Sequence, residues 1–243
     1  MEESIFTYVN KFPEFNTIIS GKEINSRGSD NGKCKSFKDV ELIAYSDPNN
    51  SFTDTCKKIA EHHQEIINKA KSSQIALCKY INYWIYDTLQ SMPEFSHNKL
   101  LNKFYEKIEK LDFCKPYRNS IDKRTYDELK ELYNMYEPYI KFKKASSKNG
   151  NGSCEDAEKF FELYEQYAGK CKPKHNTHFC WELIKIGYIS FDSWIRSSAP
   201  QAKRKKTKFA YRMHDSQDNS DMEDSRYTLA YQSSLDSESE YSI

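Results

Sequence analysis

One stretch, Gln74 to Ser91 (QIALCKYINYWIYDTLQS), constrains the fold of this chain more than any other. Apolar or aromatic side chains fall on nearly every face of a helix drawn through it, and such a helix lies inside a protein. Lys79, Asn82 and Asp87 interrupt the apolar run, and its tyrosine hydroxyls need hydrogen-bond partners, so we expect no membrane span here. The stretch predicts the central helix of a water-soluble core.

The composition favours helices over sheets. The chain has 243 residues, which leaves room for one domain of about 200 residues and a tail. It contains only 7 Gly and 7 Pro, and long segments are rich in Lys, Glu, Leu and Tyr. We predict an all-α fold: a multi-helix, cysteine-rich bundle with a long N-terminal loop region and a disordered C-terminal tail. The net charge of +1 gives no broad basic surface, so no nucleic-acid partner is expected.

Apolar periodicity predicts six helices, which span residues 52–72, 74–91, 98–112, 125–142, 153–168 and 176–195. Residues 1–20 predict a short helix broken near Pro13 and then an extended piece, and residues 21–50 predict a long loop.

Two helix starts and one helix end can be assigned from single residues. Thr53 or Asp54 is expected to cap the helix at 52–72, and Thr125 with Glu128 is expected to form a capping box for the helix at 125–142. Pro138 is expected to kink that helix or end it early, and residues 143–152 to form a flexible loop.

Cysteines are more frequent than in a typical cytosolic protein of this size. Spread positions without a CxxC pair favour disulfides between helices, and free buried thiols or a metal site are the alternatives. The odd count leaves at least one thiol unpaired or bonded to another molecule. The candidates are Cys34, Cys56, Cys78, Cys114, Cys154, Cys171 and Cys180.

Four residues that can bind zinc occur close together near the end of the predicted domain: Cys171, His175, His178 and Cys180. Zinc prefers four S or N donors in a tetrahedron, but this spacing departs from the usual zinc patterns. Surface histidines beside disulfide-forming cysteines are therefore the preferred interpretation, and zinc is the weak alternative.

No phosphate loop, nucleophile elbow or paired-carboxylate motif occurs, so we expect no enzyme activity, catalytic residue or cofactor.

The chain changes character after Pro200. We predict a helical domain over residues 1–196 and a disordered charged tail over 197–243, with a basic run at 203–208 before an acidic, serine-rich end. Lys203–Lys206 could act in nuclear import.

The N-terminus lacks the basic start and apolar stretch of a standard signal peptide.

The central stretch also carries a resemblance. Its segment CKYINYWIYDTL resembles the C-x-Y-L-N-Y-W-L-Y-D-x-L core of the variable interspersed repeat (VIR/PIR) proteins of malaria parasites. Leu132 to Tyr136 is similar to the family's L-Y-x-x-Y helix, and the resemblance covers roughly residues 4–195. The core motif consists of Cys78, Tyr80, Tyr83, Trp84, Tyr86 and Leu89.

The C-terminal part resembles the membrane-anchored members of that family with one departure. Ser193–Arg196, followed by the basic run, is similar to the sequence after their membrane span. The segment between Cys180 and Trp194 is too short and too charged to cross a bilayer of about 30 Å. We expect that this copy lacks the anchor.

The resemblance implies a function that the residues alone do not. It implies a variant antigen, exported into the infected red blood cell, that acts without catalysis in host interaction or immune evasion, with a host protein or an antibody as its partner. It also implies a disulfide-stapled helical domain with unassigned pairing. The alternative is a soluble intracellular adaptor with reduced cysteines, which Lys203–Lys206 could direct to the nucleus.

Overall fold

The computed structural model describes residues 4–23, 31–149, 154–171 and 177–197, and in these ranges it contains helices and turns and no strand. The predicted all-α fold is confirmed. Short 3-10 helices span Ile5–Lys11, Pro48–Asn50 and Glu109–Tyr117. The α-helices are α1 (Phe12–Ser20), α2 (Asn31–Glu41), α3 (Ser51–Lys69), α4 (Gln74–Leu89), α5 (His97–Lys107), α6 (Lys123–Asn149), α7 (Cys154–Ala168) and α8 (His178–Ser197).

All of these helices fall in one compact unit of the chain, which covers residues 1–170 and 177–197. Of the second unit, residues 171–176 and 198–243, the structure describes only Cys171. The basic run at 203–208 and the rest of the predicted tail lie outside the described residues. The predicted domain boundary and the disordered tail therefore stay predictions.

Helix α4 is the centre of the helical unit, as its apolar sequence predicts. It packs against α1, α3, α5 and α6, and against the 3-10 helices Ile5–Lys11 and Glu109–Tyr117. Ile81, Ile85 and Leu89 have no exposed surface. Full burial of each such side chain contributes about 1.5–3 kcal/mol, so this one helix supplies a large share of the core.

Helix α3 begins near its predicted start, but with a different cap. The carboxylate of Asp47 accepts hydrogen bonds from the backbone N–H of Phe52 at 2.8 Å and of Thr53 at 3.1 Å. The prediction of Thr53 or Asp54 as the cap was wrong. The Asp47 carboxylate reaches across from the preceding turn and satisfies N–H groups that the helix cannot pair internally.

Helix α6 also begins with an aspartate rather than the predicted capping box. Asp122 accepts a hydrogen bond from the backbone N–H of Thr125 at 2.7 Å, so the helix starts at Lys123 and Thr125 lies inside it. The capping box of Thr125 and Glu128 was a wrong prediction. Hydrogen bonding to this backbone N–H also lowers the pKa of the Asp122 carboxyl.

The end of α6 was also predicted wrongly, because the helix continues through Pro138 to Asn149. Residues 143–149 are helical rather than a loop. Beyond the proline, Tyr139 and Phe142 are still buried, and the Tyr139 ring lies 5.5 Å from the ring of Phe160 on α7. Packing against α7 offsets the backbone hydrogen bond that a proline removes.

The N-terminal residues are more helical than predicted. Pro13 lies in the first turn of α1, where its missing N–H has no intrahelical role, so it begins a helix instead of breaking one. No extended piece follows within residues 12–20. In the region predicted as a long loop, α2 forms and buries Cys34 and Phe37.

The remaining helices agree with prediction to within a few residues, except that α5 ends at Lys107 and a 3-10 helix replaces its last predicted turn.

Helices α7 and α8 approach closely at Gly187. A Cβ atom built on that glycine would lie 2.7 Å from the hydroxyl oxygen of Tyr164, so only glycine fits there without a shift.

Candidate functional site

The six residues of the core motif lie along α4 and face its neighbours. All are buried except Trp84, which is half-buried. The indole of Trp84 stacks on the ring of Phe52 from α3, with centroids 4.9 Å apart, and meets Phe104 of α5 edge-on at 6.2 Å. The motif therefore joins three helices through ring packing.

The tyrosines of the motif form a stacked group with α6. The ring of Tyr83 lies 6.0 Å from Tyr126 and 5.7 Å from Tyr133, and the ring of Tyr86 lies 4.5 Å from Tyr126. Burial raises the pKa of Tyr83 and takes the pKa of Tyr133 to about 12. These hydroxyls stay protonated at neutral pH and act as packing groups.

Asp87 connects the same two helices through charge. Its Oδ1 accepts a hydrogen bond from the hydroxyl of Tyr126 at 2.5 Å and from the ammonium of Lys130 at 2.8 Å. The side-chain amide of Gln90 donates to the Tyr126 oxygen at 2.7 Å. Hydrogen bonds therefore join the polar C-terminal end of α4 to α6, in addition to the ring stacking between the two helices.

A buried polar network fixes the chain that leads into α6. Asn82 of α4 donates to the carbonyl of Tyr117 at 2.8 Å and accepts from the hydroxyl of Tyr105 at 2.8 Å. His97 bonds on both ring nitrogens: Nε2 to the carbonyl of Asn82 at 2.9 Å, and Nδ1 to the backbone N–H of Ile121 at 2.8 Å.

The two bonds assign the protonation of His97. Because Nδ1 accepts from a backbone N–H, the ring proton is on Nε2, which donates to the Asn82 carbonyl. Burial lowers the pKa of His97 to about 4, so the ring is neutral at physiological pH. Both nitrogens are occupied by backbone groups, and the side chain serves as a structural clamp.

Disulfides hold several of these elements together. Cys34 of α2 is bonded to Cys56 of α3, and Cys78 of α4 is bonded to Cys114 of the 3-10 helix Glu109–Tyr117. Cys171 and Cys180 are disulfide-bonded as well. The motif cysteine Cys78 is thereby part of a covalent link between the central helix and its neighbour.

The oxidised cysteines bear on the zinc alternative at 171–180. A disulfide sulfur is no thiolate, so neither Cys171 nor Cys180 is available as a zinc ligand in this state. His175 lies outside the described residues. Among the residues that are described, no group of three His, Cys, Asp or Glu side chains is placed to hold a metal ion.

The adjacent histidines of α3 have separate partners. His62 Nε2 lies 3.2 Å from the carbonyl of Glu23, and His63 Nδ1 lies 3.2 Å from the carbonyl of Ala60. The His63 ring also lies 5.3 Å from the ring of Phe113. They form no pair, as their neighbouring positions on a helix predict.

A few large apolar side chains stand out on the described surface. Ile43 is 80% exposed and Val40 is 59% exposed, both at the C-terminal end of α2. Trp181 and Ile184 project from α8 and are 42% and 40% exposed.

In the described part of the chain, no helix has the length and hydropathy that crossing a bilayer requires.

Together, the bonded cysteines and the inward-facing motif define a class: a disulfide-stapled helical domain whose signature residues form its core. The sequence profile of the Plasmodium vivax Vir protein family matches residues 8–188, and the chain belongs to that family. The family is one of variant antigens. Comparison with curated proteins and with solved structures gave no match.

Proposed function

We propose that this chain is a variant antigen that acts without catalysis, through contacts with a host protein or an antibody, after export into the infected red blood cell. Family membership supports the antigen role. The observation that carries the proposal is the oxidised state of six cysteines, because structural disulfides form and persist in oxidising compartments and are rare in the cytosol.

The contacts made by the polar and aromatic side chains described above support a scaffold function. The motif residues pack the core, His97 clamps backbone, and Asp87 ties α4 to α6. The titratable side chains of this region therefore hold the helices in place. A rigid core of this kind leaves the outward-facing positions of α2, α3 and α6 able to change sequence without loss of the fold.

Two measurements on infected red cells test the proposal. Antibodies raised against the oxidised domain should label the host-cell compartment, and the same pool of protein should yield the Cys34–Cys56 and Cys78–Cys114 cross-linked peptides in non-reducing mass spectrometry. Antibodies raised against the reduced and alkylated chain serve as the control for recognition of fold. Protein confined to the parasite cytoplasm with seven free thiols would overturn the proposal.

The same experiment addresses the adaptor alternative. A chain in which Lys203–Lys206 are replaced by alanine should distribute as the original does if export governs its location. Nuclear accumulation of the original chain, lost on that replacement, would favour the intracellular adaptor and contradict export.

A further inference from the structure

The connection between α2 and α3, residues 42–50, leads into the sequence Asn49-Asn50-Ser51. An asparagine followed by any residue except proline, and then by serine or threonine, is the acceptor pattern for N-linked sugars. A pattern this short also arises by chance, so its placement in the fold decides whether it is usable. A second match, at residues 151–153, lies outside the described residues.

Asn49 is placed where a sugar can be attached and accommodated. It is exposed in the 3-10 turn Pro48–Asn50, and Ser51 is exposed at the first position of α3. The side-chain amide of Asn49 makes no hydrogen bond with any described residue. The carboxylate of Asp47 caps the start of α3, so a substituted Asn49 amide takes no bond away from the helix cap.

The backbone of this turn passes through two left-handed residues. Asn49 and Asn50 both have a φ of 56°, in a region that asparagine enters more readily than most residues. Since the turn alone accounts for asparagine at both positions, a test of the acceptor role must keep the left-handed backbone and remove only the amide.

We propose that Asn49 is a modification site whose side-chain nitrogen carries N-acetylglucosamine. The donor is this sugar, alone or extended, linked to a lipid pyrophosphate. The Asn49 Nδ2 atom bonds to C1 of the sugar, and the bond from C1 to the pyrophosphate oxygen breaks. The lipid pyrophosphate leaves with the electron pair, and one amide proton is lost. A transferase of the secretory compartment catalyses the step, so the inference rests on the export proposed above.

One proteolytic fragment tests the site together with the neighbouring disulfide. Trypsin cuts after lysine and arginine, so residues 39–57 form one peptide that contains Asn49 and Cys56. The full chain is isolated from infected red cells and digested without reduction. In mass spectrometry this peptide should stay joined to Cys34 and carry the added mass of at least one N-acetylhexosamine on Asn49.

The same fragment separates failure of the site from failure of export. A Cys34-linked peptide without sugar overturns the modification and leaves the export proposal in place, because the bond reports an oxidising compartment. A peptide with a free Cys56 thiol and no sugar overturns the modification and also contradicts export. Sugar on Asn49 supports the site whether or not Cys56 is bonded.

Matched variants of the full chain, expressed in the parasite, distinguish the acceptor from the turn. Asn49→Gly should abolish the added mass, whereas Asn50→Gly should keep it because Asn-Gly-Ser is still an acceptor. Glycine adopts positive φ at either position, so both variants keep the turn. Ser51→Ala should abolish the modification and Ser51→Thr should retain it. Sugar that persists in Ser51→Ala, or that is lost equally in both glycine variants, would overturn the assignment.

Discussion

The region around α2 to α5 and the layer of α6 to α8 are held together in different ways. In the first region two short helices, α2 with 11 residues and the 3-10 helix at Glu109–Tyr117 with 9, are each bonded to a longer neighbour by a disulfide. In the second, α6 is 27 residues long and packs on α7 through aromatic rings.

This difference follows from helix physics. Short helices are marginal in water because nucleation is unfavourable and few residues share its cost. A covalent bond offsets that weakness in α2, whose polar sequence buries little. A long amphipathic helix instead gains its stability along a whole face. The following predictions test that contrast.

The largest effect is expected from the bond to the central helix. Replacing both Cys78 and Cys114 by alanine opens a loop with a sequence separation of 36 and should lower the free energy of unfolding by about 4 kcal/mol. The midpoint of thermal unfolding should fall by about 10 °C. The Cys34 and Cys56 double variant, with a separation of 22, should lose slightly less. Unchanged midpoints in both would contradict a covalent basis for this region.

His97 should make the first region sensitive to acid. Its pKa is about 4 in the folded chain against 6.5 for a free histidine, so the neutral ring is favoured by folding. That stabilisation is complete above pH 6.5 and is lost as the pH falls towards 4, by up to about 3 kcal/mol. Urea unfolding measured at several pH values should show this slope. His97→Ala should flatten it.

In the second region the contact of α7 with α8 should be the weak point. Gly187→Ala forces its new methyl group against the buried ring of Tyr164 and should destabilise the chain by about 1–3 kcal/mol. Gly32→Ala, where a Cβ meets nothing within 4 Å, should be neutral or stabilise α2 by up to about 1 kcal/mol. Thermal unfolding compares the two. Equal midpoints would remove the argument for close packing at Gly187.

The smallest effect should come from the helix caps. Asp122→Ala and Asp47→Ala each remove a carboxylate that accepts from backbone N–H groups and should destabilise by about 1 kcal/mol. Glu128→Ala removes the acid of the sequence-based capping box, which is paired with Arg124, and should change stability little. A larger loss for Glu128→Ala than for Asp122→Ala would restore the capping box as the start of α6.

The central helix could be predicted because its signal is local: apolar side chains on all faces within one stretch. Its polar residues could not be interpreted the same way. Lys79 and Asn82 looked like interruptions, yet both are buried, and they donate hydrogen bonds to Asn119 and Tyr117, which lie 40 and 35 residues further along the chain. Partners so far apart along the chain leave no local pattern from which their contact could be predicted.

The errors at helix ends and in α2 have related causes. Asp47 and Asp122 cap helices from outside the apolar periodic segment, so a search at the first periodic residue misses them. Helix α2 is mostly polar, with three lysines among its 11 residues, and it forms where Cys34 and Phe37 meet α3. Tertiary contacts there outweigh weak local preference.

The order of the two assigned bridges along the chain has a consequence for biogenesis. Cys34–Cys56 closes before Cys78 is reached, and Cys78–Cys114 closes after it, so the loops follow one another without interleaving. A polypeptide that emerges amino-terminus first can seal each loop before the next partner becomes available. Vectorial oxidation of this kind limits scrambled isomers and reduces the dependence of maturation on an isomerase.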